Sequence, residues 1–262
     1  MTPTRNPWLP LKLDDTSARL RLFCLPYAGG SSQIYRDWGR QLPAWVQVVP
    51  LQPPGRGSRL REPVMRDVRA LAAAAAEAVA PLIDRPWVVF GHSLGAKVGF
   101  ELVRLLARRH EAPVLRLFAS ASRAPQIPRR PPPTHDLPAA AFLAELGRLS
   151  GTPPEILADA GLMDLLMPVL RAEFAASQTY LDTGEDRLPC PVTALGGIDD
   201  EIGADDILAW RDRSAEGFDF RQLPGGHLFL QTQQAAVLDL VRRTLTQDLP
   251  AARRVAEPTG GR

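Results

Sequence analysis

Six short apolar runs punctuate the chain, and the stretches between them repeat their apolar residues at helical spacing. Leu20–Leu25, Val46–Leu51, Trp87–Phe90, Leu115–Ser120, Pro191–Gly196 and Phe218–Leu223 read as strands. Between and after them, Ile34–Leu42, the Ala-rich Val64–Ile83, Lys97–Leu106, Asp205–Arg213 and Gln233–Leu245 read as helices with one apolar face. Strands alternating with helices at this rhythm imply a parallel sheet covered on both faces. The rhythm breaks once. Residues 123–133 are rich in Pro and Arg, and Asp136–Leu149, Pro154–Ala158 and Leu162–Tyr180 read as helices with no strand among them. An all-helical insertion of about sixty residues, here 123–185, is most economically a lid above the strand ends. A helical outrigger remote from any site is the alternative. The expected organisation is one α/β domain over residues 1–250 with this insertion. Residues 251–262, small, charged or Gly/Pro, are expected to form a disordered tail.

Composition narrows the class. A chain of 262 residues with 45% hydrophobic content can bury one sizeable core. The 31 basic and 29 acidic residues are interspersed and leave a net charge of +2, so nothing favours nucleic acid or an anionic membrane. No apolar run approaches a membrane span, and the first residues lack a signal-peptide core. Cys24 and Cys190 fall in apolar strand-like segments and read as buried thiols rather than a disulfide frame. No metal-ligand spacing is present, so no metal is expected. A cytoplasmic location follows as an expectation.

The most informative stretch is Trp87–Ala96. Four apolar residues lead into Gly91-His92-Ser93-Leu94-Gly95, and helical periodicity follows at once. A serine on a sharp strand-to-helix turn sits in a strained conformation, and the flanking glycines remove side chains that would collide there. This is the pattern of the nucleophile elbow of the α/β-hydrolase fold. The helix start behind Ser93 favours negative charge developing beside it.

A serine hydroxyl is a weak nucleophile at neutral pH and needs a base, oriented by a carboxylate. In this fold the chain order is Ser, acid, His. His92 lies inside the elbow, pointing away from Ser93. His110 follows Arg108-Arg109 at a helix end, and His135 opens the insertion after a proline run. Only His227 follows the last strand, behind Gly225-Gly226, and it is the expected base. The acid belongs at the end of the preceding strand, where Asp199 and Asp200 are adjacent. Counting Gly-x-x-Asp-x-x-apolar from Gly196 selects Asp199, with Ile202 at the apolar position. Counting from Gly197 selects Asp200 but puts Gly203 there. Asp199 is the preferred acid, with Asp200 the alternative. Two donors must face the developing oxyanion. The N–H of Leu94, after the nucleophile, and that of Ala28, in the small-residue turn after the first strand, are the candidates.

The set of motifs carries a resemblance. Pro26-Tyr27-Ala28-Gly29-Gly30, Pro53-Pro54-Gly55-Arg56-Gly57, the elbow, Leu170-Arg171-Ala172-Glu173-Phe174 and Pro224 to Leu230 together resemble type II thioesterases, the stand-alone editing enzymes of nonribosomal peptide and polyketide synthases. The similarity spans about Leu20 to Leu245. It implies hydrolysis of acyl groups from the phosphopantetheine arm of acyl or peptidyl carrier proteins, with no cofactor beyond the arm the substrate carries. The family commonly spaces its acid as Gly-Gly-x-x-Asp, whereas Asp199 follows the glycine pair after one residue. Tyr27, Phe142, Leu170 and Phe174 are expected to contact substrate, and Leu146 and Leu166 to help form a narrow apolar tunnel in the lid. Arg56, Arg59 and Arg61 are expected near the entrance, facing an acidic carrier. A monomer is expected. The rival readings are a product-releasing thioesterase, a small-acyl carboxylesterase, and a carrier-binding module with an idle triad.

Overall fold

The strands β1 (Leu20–Leu25), β2 (Val46–Pro50), β3 (Trp87–His92), β4 (Val114–Ser120), β5 (Val192–Gly197) and β6 (Phe218–Leu223) form one sheet in the order β2-β1-β3-β4-β5-β6. Every pairing is parallel. The protein is described from a computed structural model, covering residues 6–10, 17–149 and 154–256. The first, third and fifth strands are buried along their whole length, which is why they read as unbroken apolar runs. Successive side chains still alternate between two cores. Phe23, Leu25 and Val89 face one, while Leu22, Cys24, Val88 and Phe90 face the other. Edge strand β6 pairs on one side only. Its Phe218 and Phe220 pack inward while Asp219 and Arg221 stay exposed, charges that discourage a further strand.

Helices α1 (Trp38–Gln41), α2 (Val68–Val79), α3 (Leu94–Ala107), α4 (Ala139–Arg148), α5 (Pro154–Ala158), α6 (Ala160–Thr179), α7 (Ala204–Leu208), α8 (Phe229–Thr232) and α9 (Gln234–Ala256) complete the chain. The parallel sheet covered on both faces, expected from the strand–helix rhythm, is therefore the observed one, and it agrees with the α/β-hydrolase arrangement expected from the elbow. α2 and α3 pack on one face, and α1 and α9 help cover the other. Residues α4 to α6 fall between β4 and β5 with no strand among them.

Boundaries shift for local reasons. The helix expected over Val64–Ile83 begins at Val68, where the Asp67 carboxylate accepts from the Ala70 N–H at 2.8 Å, and it tightens to a 3-10 turn at Ala80–Leu82 containing Pro81. Ile34–Leu42 is a 3-10 turn followed by the single turn α1. The second half of Asp205–Arg213 is likewise 3-10. The last helix runs on to Ala256, so the first six residues of the expected tail are helical, and residues 257–262 lie outside those described. Bidentate bonds from Arg116 of β4 to Asp248, at 2.7 and 2.8 Å, tie α9 to the sheet. Both cysteines are free and buried. No described helix is long and apolar enough to cross a membrane.

Candidate active site

Ser93 joins β3 to α3 with φ 55° and ψ −112°, a left-handed conformation that a residue with a Cβ adopts only under constraint. Its N–H is held by the Ser120 carbonyl at 2.7 Å. The two glycines of the motif are sterically required. A Cβ on Gly91 would lie 2.2 Å from the Gly95 carbonyl oxygen, and one on Gly95 would lie 2.2 Å from that of Leu25. The elbow is thus wedged against β1 and its own helix, with its hydroxyl at the carboxyl end of the sheet. Ligands of open α/β sheets bind at that end.

His227 arrives from the loop after β6. Its Nε2 lies 2.9 Å from the Ser93 Oγ, and its Nδ1 lies 3.0 Å from Oδ2 of Asp200. The carboxylate that reaches the imidazole is therefore Asp200, not the preferred Asp199. The Asp200 side chain is fully enclosed, and its other oxygen accepts from the Ile202 N–H at 3.1 Å. Asp199 is exposed and uses its backbone N–H to hold the Gly225 carbonyl at 3.0 Å. Gly197 decides the geometry. A Cβ there would sit 2.4 Å from the Gly225 oxygen, so only glycine lets the end of β5 touch the histidine loop. Counted from the pair Gly196-Gly197, Asp200 also fills the spacing Gly-Gly-x-x-Asp. The apolar-position argument misled because Ile202 serves Asp200 through its backbone rather than through its side chain.

His92 is not idle. It is fully buried, with Nε2 at 2.8 Å from the His227 carbonyl and Nδ1 at 2.9 Å from Ser120 Oγ. A carbonyl can only accept, so Nε2 carries the proton and Nδ1 accepts from the serine hydroxyl. Burial, reinforced by the neighbouring His227, lowers its pKa to about 3, which keeps the ring neutral. His92 thereby anchors the backbone of the residue that reaches Ser93. Its position beside the serine in sequence concealed this.

Ala28 borders the same cleft, and its N–H donates to nothing among the described residues. Leu94 is the first residue of α3, where N–H groups lack intrahelical acceptors. The neighbouring Gly29 N–H is taken by Glu173 of α6 at 2.7 Å. That carboxylate also receives Arg56 at 2.9 and 2.5 Å, both side chains being buried. Arg56 therefore does not face solvent as expected. Arg59 does not either: it is buried against Gln52, Glu62 and the Trp8 ring. Of the three arginines only Arg61 is exposed.

The cleft above Ser93 spans about 1020 Å³, part of it open to solvent, and the helical insertion forms much of its wall. Tyr27, Leu146, Leu170 and Phe174 line it. Phe142 does not; it is fully buried edge-on to Phe174, with Arg171 stacked on its ring. Leu166 packs in the same helical cluster, also outside the lining. Nor is the cleft a narrow apolar tunnel, since Lys97, Arg123, Arg129, Glu145 and Glu201 contribute to its wall. Among the described residues no cluster could hold a metal ion.

A serine, an imidazole and an enclosed carboxylate in hydrogen-bond series at this sheet edge define a site of the serine-hydrolase class on an α/β-hydrolase fold. The thioesterase domain family matches residues 20–245. The chain is 37% identical to the thioesterase PikA5 of Streptomyces venezuelae, over 93% of this chain and 88% of that one. Its structure resembles that of the thioesterase RedJ from the prodiginine pathway of Streptomyces coelicolor, with TM-score 0.81 and 34% identity over 92% and 94% of the two chains. It also resembles the type II thioesterase BorB of the borrelidin cluster, with TM-score 0.81 and 30% identity over 89% and 95%. The chain belongs to the thioesterase family.

Proposed function

We propose that the chain hydrolyses stalled or aberrant acyl groups from the phosphopantetheine arm of carrier proteins in a nonribosomal peptide or polyketide pathway. The observation that carries the reading is the series Ser93–His227–Asp200 beneath a covered cleft. The relatives' roles in such pathways supply the substrate class.

In this mechanism the unprotonated Nε2 of His227 takes the Ser93 proton as Oγ attacks the thioester carbonyl. Nδ1–H donates to Asp200, which fixes the tautomer and stabilises the imidazolium. The N–H groups of Ala28 and Leu94 are the donors assigned to the oxyanion. Collapse breaks the carbon–sulfur bond, and the pantetheine thiol leaves with the proton from His227. Water, deprotonated by the same nitrogen, then attacks the acyl-serine. The free acid departs and Ser93 recovers its hydrogen. Thiolates leave readily, so carrier delivery and movement of the cover are expected to limit turnover rather than chemistry.

The test is to incubate the chain with carrier proteins loaded with acetyl, medium-chain or aminoacyl groups and to follow carrier mass. Release by the wild type, loss in Ser93→Ala and labelling of Ser93 alone by a fluorophosphonate support the reading. Undiminished release by Ser93→Ala removes it. Faster cleavage of a matching oxygen ester makes the chain a carboxylesterase instead.

A further inference from the structure

The wall of the cleft gathers three cations that the hydrolytic chemistry does not use. Lys97 lies four residues after Ser93, the residue that precedes α3, a rise of about 6 Å along the helix, and both border the cleft. Lys97 is only 8% exposed, and its ammonium, with three donors, meets one protein acceptor, the Ser177 carbonyl of α6. Arg123 follows the end of β4 and donates to the Pro128 carbonyl at 3.3 Å. Arg129 has an enclosed Nε with no acceptor at all. None of the three has a carboxylate at ion-pair distance among the described residues. The acids in the same wall, Glu145 and Glu201, are each bridged to Arg148, at 2.9 and 3.0 Å.

Collecting like charges in a partly buried wall whose only acids among the described residues are already bridged to Arg148 is unfavourable in the free protein. The strain shows at Lys97: burial, with Arg123 and Arg129 adding to it, lowers its pKa to about 7. Arg129 is shifted down too, chiefly by burial and then by Arg123, with Glu201 and Glu145 opposing. An anion in the cleft would relieve all three cations at once.

We propose, resting on the thioesterase reading above, that Lys97, Arg123 and Arg129 form an anion-binding end of the cleft that receives the distal carboxylate of a dicarboxylic acyl group held as its half-thioester. Distance selects the acyl group over the arm as the source of the anion. Lys97 is one helical turn from the nucleophile, whereas the arm's phosphate is the whole length of pantetheine away from the sulfur. Leu146, Leu170 and Phe174 then contact the methylenes between the two carbonyl carbons.

The experiment uses small N-acetylcysteamine thioesters, which contain no phosphate. Succinyl, monomethyl-succinyl and butyryl thioesters are compared in the wild type, Lys97→Met and Arg129→Gln. Charge-assisted bonds of this kind predict a wild-type kcat/KM ratio, succinyl over monomethyl-succinyl, of about 10- to 100-fold. Each substitution is expected to cut that ratio about tenfold or more. The ratio is taken within one sample, so loss of folded protein cancels. A wild-type ratio near one, or a ratio neither substitution moves, overturns the proposal. So does a defect confined to carrier-bound substrates and equal for all acyl groups, which would assign the cations to the phosphate. Butyryl turnover separates the two levels. A chain that cleaves butyryl thioester but ignores the carboxylate loses only the anion site, whereas one that cleaves none, with Ser93 unlabelled, loses the thioesterase reading itself.

Discussion

The catalytic corner and the helical cover over it are held in place by different physics. At the corner, position is fixed by backbone. Glycines at 91, 95 and 197 admit contacts that a single Cβ would break, and Ser120, Gly225 and His227 contribute main-chain bonds. The cover rests on a small apolar cluster, Phe142, Leu146, Met163, Leu170 and Phe174, and on a few polar ties. The chief tie is Glu173, which joins Arg56 and the Gly29 N–H across more than a hundred residues of chain. A corner built from backbone tolerates almost no movement and keeps the hydroxyl and imidazole in register. A cover built from few side chains can shift to admit a substrate, and Glu173 links it to the turn that carries Ala28.

Substitutions at the two regions should therefore fail differently. The largest effect is expected at Asp200. Asp200→Asn leaves the packing intact but favours the wrong imidazole tautomer, so kcat on acyl carriers should drop by roughly 10³–10⁴. Asp199→Asn in the same assay should change little. Comparable losses in the two variants would mean that the neighbours share the role. At the cover, Glu173→Ala leaves the Arg56 guanidinium buried without its carboxylate. An uncompensated buried charge typically costs about 3–5 kcal/mol, measurable by urea unfolding. A stability unchanged within error would show that the tie is dispensable, and the link between cover and turn with it.

The smallest expected effect concerns Lys97. The folded chain holds its ammonium proton less tightly than the unfolded chain does, about 7 against the ordinary 10.5. Between those pH values the unfolded chain binds more protons, so folding stability rises with pH. Below about 7 both states are protonated, and the folded chain bears the full cost of a buried ammonium. Lys97→Met should flatten the rise from neutral to alkaline pH, by on the order of 2–4 kcal/mol, in denaturant titrations run across that range. A wild-type profile already flat there would place the ammonium in contact with water.

Much of the corner was legible because its signals are local. The Gly91-His92-Ser93-Leu94-Gly95 run, a glycine pair before His227 and apolar runs at regular intervals each describe a few consecutive residues and the conformation they permit. The acid shows where such reading stops. Two adjacent aspartates satisfy similar spacing, and which one turns inward depends on how closely β5 approaches the loop after β6, a contact between Gly197 and Gly225. Arg56 and Arg59 read as surface charges because nothing near them in the chain reveals the partners that bury them. Lys97 could have been noticed, standing four residues after the serine.

The sequence by itself determined the order of elements, the elbow and the identity of nucleophile and base, because strand burial, helix periodicity and glycine stereochemistry act over a few residues. Tertiary structure alone decided that Asp200 faces the imidazole, that His92 holds His227 by its carbonyl, that Glu173 ties cover to turn, and that three cations share one wall with no carboxylate at ion-pair distance among the described residues. Those outcomes depend on distances between segments far apart along the chain, which only the packing of the whole sheet and its helices sets.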